Sequence, residues 1–517
     1  MSANRREFLQ RIMMLSGFEA STAGLQMLGL APMAAHALPT LSPQQGAGMH
    51  VAVLGAGIAG LVAAYQLERA GFKVTVLEAR SRIGGCNWTL RSGGRIQMHG
   101  EAEQVVDFSA GLYLNAGPSR IPSHHQGIVD YCRILGVPLE VMVNANRNAL
   151  LSPQYAGSPP MQLRQAINDT RGRLAELLVT AVNRGALDAE LTDEHKARLR
   201  HFLRVYGDLS DDMTFRGSER SVGAFHADAV SQKKSALALR QILTNDVLKA
   251  TVYEEILGMQ ATMLQPVGGM DQLPSAFRRA IASPIIMNAN VQEVITKDGK
   301  AQVAYLDSNQ VIKHLAADYA IVTIPLPVLA TIRNDFSRDV QHAITSVTFD
   351  HANKTAFESP RFWEHQQIYG GISFAGGETS LVAYPSQGFH EPTGILVTGY
   401  NSDEQGTRFA RRPVAEQLAM SRDAVERLHT GHGSELAKGI AINWKKIPYS
   451  LGAWPLSYRD GKPSNTIDDA AYRILRQPHG CVYFAGAYLS PLPTWQEGAV
   501  MSAHHAVDEL TTRIRCS

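Results

Sequence analysis

The run Val51-Ala52-Val53-Leu54 breaks into Gly55-Ala56-Gly57-Ile58-Ala59-Gly60, and a strand feeding closely spaced glycines suits phosphate chemistry. Gly55 permits the tight turn, Gly57 lets the backbone approach a pyrophosphate, and Gly60 lets the following helix sit close on the strand. Ile58 and Ala59 open that helix, so their N–H groups and the positive end of the helix dipole face the anion. Ala64, Leu67, Gly71, Val74 and Val76 continue as an amphipathic helix and a second strand, which ends at Glu78-Ala79-Arg80-Ser81-Arg82-Ile83-Gly84-Gly85. Glu78 stands 18 positions after Gly60, close to the ~20 expected of a carboxylate that takes ribose hydroxyls. A bare three-glycine turn is weak evidence. The complete unit, with its acid and trailing Gly-Gly, is strong evidence for a dinucleotide site.

A chain of 517 residues exceeds one comfortable core, so two or three domains are expected. Hydrophobic residues make up 45% and charged residues 19%, the balance of an ordinary globular protein. A formal charge of +2 argues against a general nucleic-acid or membrane-surface binder. Cys86, Cys132, Cys481 and Cys516 are far apart and lack metal-ligand spacing, so no metal site is expected.

Around these motifs the texture changes along the chain. Residues 1–37 resemble an address: Arg5-Arg6-Glu7-Phe8-Leu9 is similar to a twin-arginine export motif, and Ala35-His36-Ala37 fits small-x-small cleavage. That reading implies the periplasm; a short amphipathic helix with a chance arginine pair implies the cytoplasm instead. No stretch is apolar for the ~18 residues a membrane span needs. Met161 to Ala186 and Glu194 to Tyr206 carry helical spacing and predict a helical insert. Strand patterns return at Ile285 to Val294, Gln302 to Leu306 and Tyr319 to Ile324, and again at Cys481 to Gly486 before a helix from about Gly498 to Arg515. The nucleotide domain is therefore expected to be assembled from separated pieces.

Further blocks resemble the FAD-containing amine oxidases, a family that includes L-amino-acid, monoamine and polyamine oxidases. Val267-Gly268-Gly269-Met270-Asp271-Gln272-Leu273-Pro274 is similar to a second block of the family, and Asn290-Val291 falls where a valine backbone meets the adenine. Tyr483-Phe484-Ala485-Gly486 and Trp495-Gln496-Glu497-Gly498-Ala499 look like the closing block that points a helix at the flavin ring. The resemblance covers roughly residues 48–510 and implies FAD rather than NAD. It also implies an α/β fold: an FAD-binding Rossmann-type domain from 48–102, 262–345 and 470–515, a mixed-sheet substrate domain from 103–160 and 346–469, and a helical domain at 161–261.

The substrate side is read from the same resemblance. Gly117-Pro118-Ser119-Arg120-Ile121-Pro122 is similar to the L-amino-acid oxidase block whose arginine grips a carboxylate, since a guanidinium fork can pair both oxygens. Tyr384 is matched to a tyrosine on the same carboxylate. Lys354, in Asn353-Lys354-Thr355, resembles a lysine that holds a water near the flavin, and its implied role is catalytic. Trp454 and Trp495, with Thr494 beside the latter, fall where aromatics flank the reacting amine. Ala453 stands where some monoamine oxidases carry a flavin-linked cysteine, so the FAD is expected to be non-covalent. Cys86 and Ala487 depart from the family's usual arginine and glutamate, with Arg80 or Arg82 available to compensate. The resemblance thus implies an L-amino-acid oxidase for large apolar or aromatic substrates, using dioxygen and acting as a homodimer. An amine oxidase, an amino-acid monooxygenase and a non-catalytic FAD-binding redox sensor stay open as alternatives.

Overall fold

The computed structural model describes residues 41–152, 158–222, 233–459, 462–464, 467 and 469–516. The export segment expected at residues 1–37 lies outside them.

The dinucleotide unit folds as its pattern requires. Strand β1 (His50–Leu54), helix α1 (Ile58–Arg69) and strand β2 (Lys73–Leu77) form a parallel βαβ unit, with Val51 opposite Val74 and Val53 opposite Val76. Five parallel strands lie in the order Ile285–Ile286, β2, β1, Tyr319–Val322, Val482–Phe484, so three distant stretches of chain build one sheet. Alternation along β1 explains why all its interior residues are apolar. Val51 and Val53 face one core with α1 and the C-terminal helix Gln496–Cys516, whereas Ala52 and Leu54 face a second.

A second sheet of seven strands is mixed. Its order is Met161–Gln162, Leu150–Leu151, Gly371–Phe374, Leu381–Tyr384, Thr393–Asn401, Asn353–Pro360, Ala437–Asn443. All pairings but one are antiparallel, the exception joining Gly371–Phe374 to Leu150–Leu151. The helical insert is led by Leu163–Asn183 and Asp193–Gly207, which close on Ala175, Val179, Leu203, Leu209 and Phe215.

Two local expectations need correcting. Met161 and Gln162 form the sheet's edge strand, and the helix begins only at Leu163. The stretch Ile285 to Val294 is not one strand. It bends at Asn288, where φ is +54°, a conformation that asparagine tolerates better than branched residues. Ile285–Ile286 stays in the parallel sheet, and Asn290–Lys297 enters a separate four-stranded one. The bend lets Ala289 N–H donate to the Glu78 carbonyl at 2.8 Å, which brings Val291 to the acid's side of the nucleotide unit.

Candidate active site

A cavity of about 690 Å³ is lined from both large sheets. At one end lie Gly55, Gly57, Ile58 and Ala59, followed by Glu78, Ala79, Arg80, Gly85, Cys86 and Val291. The start of α1 opens into this end, with Gly57 as its N-cap and no side chain capping it. A Cβ on Gly57 would come no closer than 3.9 Å to any atom, and that atom is the Gly85 Cα. The two glycines therefore leave a smooth backbone cradle. Glu78 is buried and fixed, its two oxygens accepting from Ala56 N–H and Arg80 N–H at 2.9 Å each. An uncapped helix N-terminus above an ordered buried carboxylate suits a dinucleotide that brings phosphates and ribose hydroxyls. The chemistry of this end fits FAD.

Gly60 and Gly498 belong to the cofactor motifs but do not themselves line the cavity; both are close-approach positions, the role read for Gly60 from its spacing. A Cβ on Gly60 would stand 1.9 Å from the Gly55 carbonyl oxygen, and one on Gly498 would stand 2.1 Å from the Leu492 oxygen. Cys86 is solvent-accessible where it lines the cavity, and desolvation by the surrounding walls pushes its thiol pKa up. Arg80 lines the cavity and is anchored by the Pro448 carbonyl and Ser450 Oγ. Arg82 turns instead to the Gly85 carbonyl at 2.7 Å and braces the Gly-Gly turn. Gly486, Ala487 and Ala499 line the wall contributed by the closing block.

The other end of the cavity is built on the loop Asn115–Arg120, which carries Gly117, Pro118 and Ser119. Lys354 is buried, and its Nζ donates to the carbonyls of Asn115 (2.7 Å) and Gly117 (2.8 Å) and to Ser119 Oγ (3.1 Å). Trp444 Nε1 donates to the Ala116 carbonyl at 3.1 Å. The hydrogen bonds of Lys354 Nζ within the chain thus all go to this loop. Burial first, and the nearby Arg120 charge second, lower its pKa to about 7.

The loop ends by presenting Arg120. Its guanidinium carbon lies 5.7 Å from the Trp495 ring centre, a cation–π contact. Its Nη2 donates to Met259 Sδ at 3.1 Å, and its buried Nε has no partner. No described carboxylate pairs with it. A planar cation with free donors beside an aromatic wall is a slot for an anion brought in from solution. Thr494 and Trp495 complete this part of the lining; Trp454 also lines the cavity, and its Nε1 is a second buried donor without a partner.

Tyr384 does not serve Arg120. It touches the cavity, but its hydroxyl bonds Ser373 Oγ at 2.6 Å and His429 Nε2 at 2.7 Å within the substrate-domain core. The tyrosine beside the arginine is Tyr400, which the sequence reading missed. The antiparallel register sets Tyr400 directly opposite Lys354, and Lys354 Nζ lies 5.8 Å from its ring centre. Burial pushes its pKa up to about 12, while Arg120 pulls the other way. It lines the cavity, and its hydroxyl has no hydrogen-bond partner among the described residues. No motif marks it; only the pairing of two strands does. Tyr253 and Met259, from the last turns of the helical insert, also join the lining.

The family described as flavin containing amine oxidoreductase matches this chain over residues 58–511. An L-amino-acid oxidase of Siganus canaliculatus is 26% identical over 484 residues, covering 89% of this chain and 85% of that protein. The flavin-dependent L-tryptophan oxidase RebO of Lentzea aerocolonigenes is 27% identical over 484 residues, covering 88% and 97% respectively. Among solved structures, cyclohexylamine oxidase from Brevibacterium oxydans IH-35A superposes with a TM-score of 0.60 at 17% identity, over 90% of this chain and 99% of that one. Putrescine oxidase bound to putrescine gives 0.57 at 18% identity, with the same coverage. These likenesses show the fold.

Proposed function

This chain belongs to the flavin containing amine oxidoreductases, an FAD-dependent family, and within it we propose that the protein oxidises L-amino acids. The observation that carries this reading is Arg120, a guanidinium in the cavity with an unpartnered Nε and no carboxylate partner among the described residues. A plain amine has nothing to offer that fork. An α-amino acid carries a carboxylate one carbon from the amine, so pairing it with Arg120 and the Tyr400 hydroxyl fixes the position of Cα. Lys354 holds the loop that carries the arginine, and Trp495 and Trp454 exclude water from the amine.

FAD supplies the two-electron acceptor, so the amino acid becomes an imino acid that hydrolyses to a 2-oxo acid and ammonia, with dioxygen taken to hydrogen peroxide. The test is a peroxide assay on L-amino acids and on the amines that remain when their carboxylates are removed. Peroxide from the amino acids alone is expected. Turnover of the amines alone would defeat the reading in favour of an amine oxidase. Release of carbon dioxide and a carboxamide would make the protein a monooxygenase instead.

We assign the FAD as non-covalent. Ala453 offers no thiol, and the cavity-facing Cys86 thiol has a raised pKa, which disfavours the thiolate that attachment needs. Acid precipitation should release yellow FAD into the supernatant. Flavin that stays with the precipitated chain would overturn the assignment.

The side-chain pocket is apolar in this reading. Trp454, Trp495, Tyr253 and Met259 all line the cavity, and among the described residues the insert brings no charge to its lining, Glu254 being turned to Arg147 at 2.7 Å. Lining charges apart from Arg120 and Lys354 belong to the nucleotide end, so glutamate and aspartate should be poor substrates. Trp454→Ala is expected to weaken phenylalanine turnover roughly tenfold more than alanine turnover in kcat/KM, since only the larger side chain loses its wall. Equal losses on both amino acids would place Trp454 away from the side chain.

A further inference from the structure

One sulfur is bonded to the cation that defines the slot. Met259 closes the short turn Leu257–Met259, whose Gly258 is close to the Trp495 ring. Its Sδ accepts from Arg120 Nη2 at 3.1 Å, and its carbonyl is held by Asn144 Nδ2 at 2.9 Å. The side chain is partly exposed and lines the cavity, so a small molecule present there reaches the sulfur. We propose that Met259 is an oxidation site for hydrogen peroxide and that its sulfoxide takes the Arg120 slot in place of a substrate carboxylate. The proposal rests on the oxidase reading for its source of peroxide.

The chemistry is a two-electron transfer. A sulfur lone pair attacks one peroxide oxygen, the O–O bond breaks, and the departing hydroxide takes the proton from the transferred oxygen. Sulfur is oxidised to the sulfoxide, and peroxide is reduced to water. A thioether is a weak acceptor, whereas a sulfoxide oxygen carries substantial negative charge. Set on a guanidinium donor, that oxygen makes a charge-assisted hydrogen bond of the kind a carboxylate makes. An incoming carboxylate must then displace it. Oxidation thereby lowers affinity for substrate without touching the flavin, and methionine sulfoxide reductases can reverse it. Met142, the other methionine lining the cavity, has no such bond to a cation and serves as the internal control.

The experiment treats the FAD-loaded protein with added hydrogen peroxide and follows each methionine by peptide mass spectrometry. Benzoate, a carboxylate without an amine, is titrated in parallel through the flavin absorbance. Met259 sulfoxide should form roughly tenfold faster than Met142 sulfoxide. Benzoate binding should weaken roughly tenfold as it forms and recover after reductase treatment. Met259→Leu preserves volume while removing the sulfur, and its benzoate affinity should not change under the same exposure. Equal oxidation of the two methionines, unchanged benzoate binding once Met259 is oxidised, or an equal loss in Met259→Leu would each overturn the proposal. Because the oxidant is added, the result is separate from the oxidase reading. A panel of amino acids that yields no peroxide would defeat that reading alone.

Discussion

Arg120→Ala is expected to lower kcat/KM on amino acids by roughly 30- to several-thousand-fold, the equivalent of ~2–5 kcal/mol for stranding a buried charge. Among the described residues the guanidinium meets Met259 Sδ and the Trp495 face but no carboxylate, so its removal leaves none of their acids unpaired. The loss should therefore fall on the substrate and not on the fold. The flavin spectrum should persist, and the decrease should be much smaller on the corresponding amines, which bring no carboxylate to misplace. Parallel measurement of both substrate sets decides the matter. Equal losses on the two sets would show that Arg120 serves the cofactor or the loop.

The second large effect belongs to Lys354→Met, for which a roughly 10²- to 10⁴-fold fall in kcat is expected. The substitution strands the part-buried carbonyls of Asn115 and Gly117, at up to ~1–3 kcal/mol for each unsatisfied group, and releases the loop that aims Arg120. It also has a signature in stability against pH. In the native state Lys354 titrates at about 7, against 10.5 for an ordinary lysine. Below about 7 both native and unfolded chains carry the proton, and the cost of burying the charge is borne in full. Between the two values the unfolded chain holds a proton that the native chain lacks, so stability rises with pH across this window. Methionine cannot titrate. The urea midpoint of the wild type relative to Lys354→Met should accordingly climb from about pH 7 to about pH 10. A flat difference would mean that the lysine stays charged. Arg120→Ala removes one cause of the lowered pKa, so in that background the climb should begin at higher pH.

Tyr384 and Tyr400 show how far the chain could be read without its structure. Each sits near the end of a strand, and nothing in the flanking residues tells them apart. The choice depends on which strand lies beside Asn353–Pro360 and in what register. The structure answers with Tyr400 opposite Lys354, while Tyr384 sends its hydroxyl to Ser373 and His429. Likewise, Tyr253 and Met259 come from an insert whose spacing announced helices but not which of its turns would reach the cavity.

What the sequence determined by itself is the dinucleotide end. Gly55, Gly57, Gly60 and Glu78 act through a single turn and its adjoining helix, and their requirements (a positive φ at Gly55, a smooth surface at Gly57, contact at 1.9 Å for any Cβ at Gly60) are local. Local requirements leave their mark in spacing. The substrate end is of another kind: Arg120, Lys354, Tyr400, Met259 and Trp495 come from five separate stretches of chain, brought together by strand register and loop closure. Family blocks had singled out Arg120, Lys354 and Trp495, but not the bonding of Lys354 to the loop or the unfilled donors of Arg120. Those follow from distances between side chains far apart in sequence, and only the tertiary structure decides them.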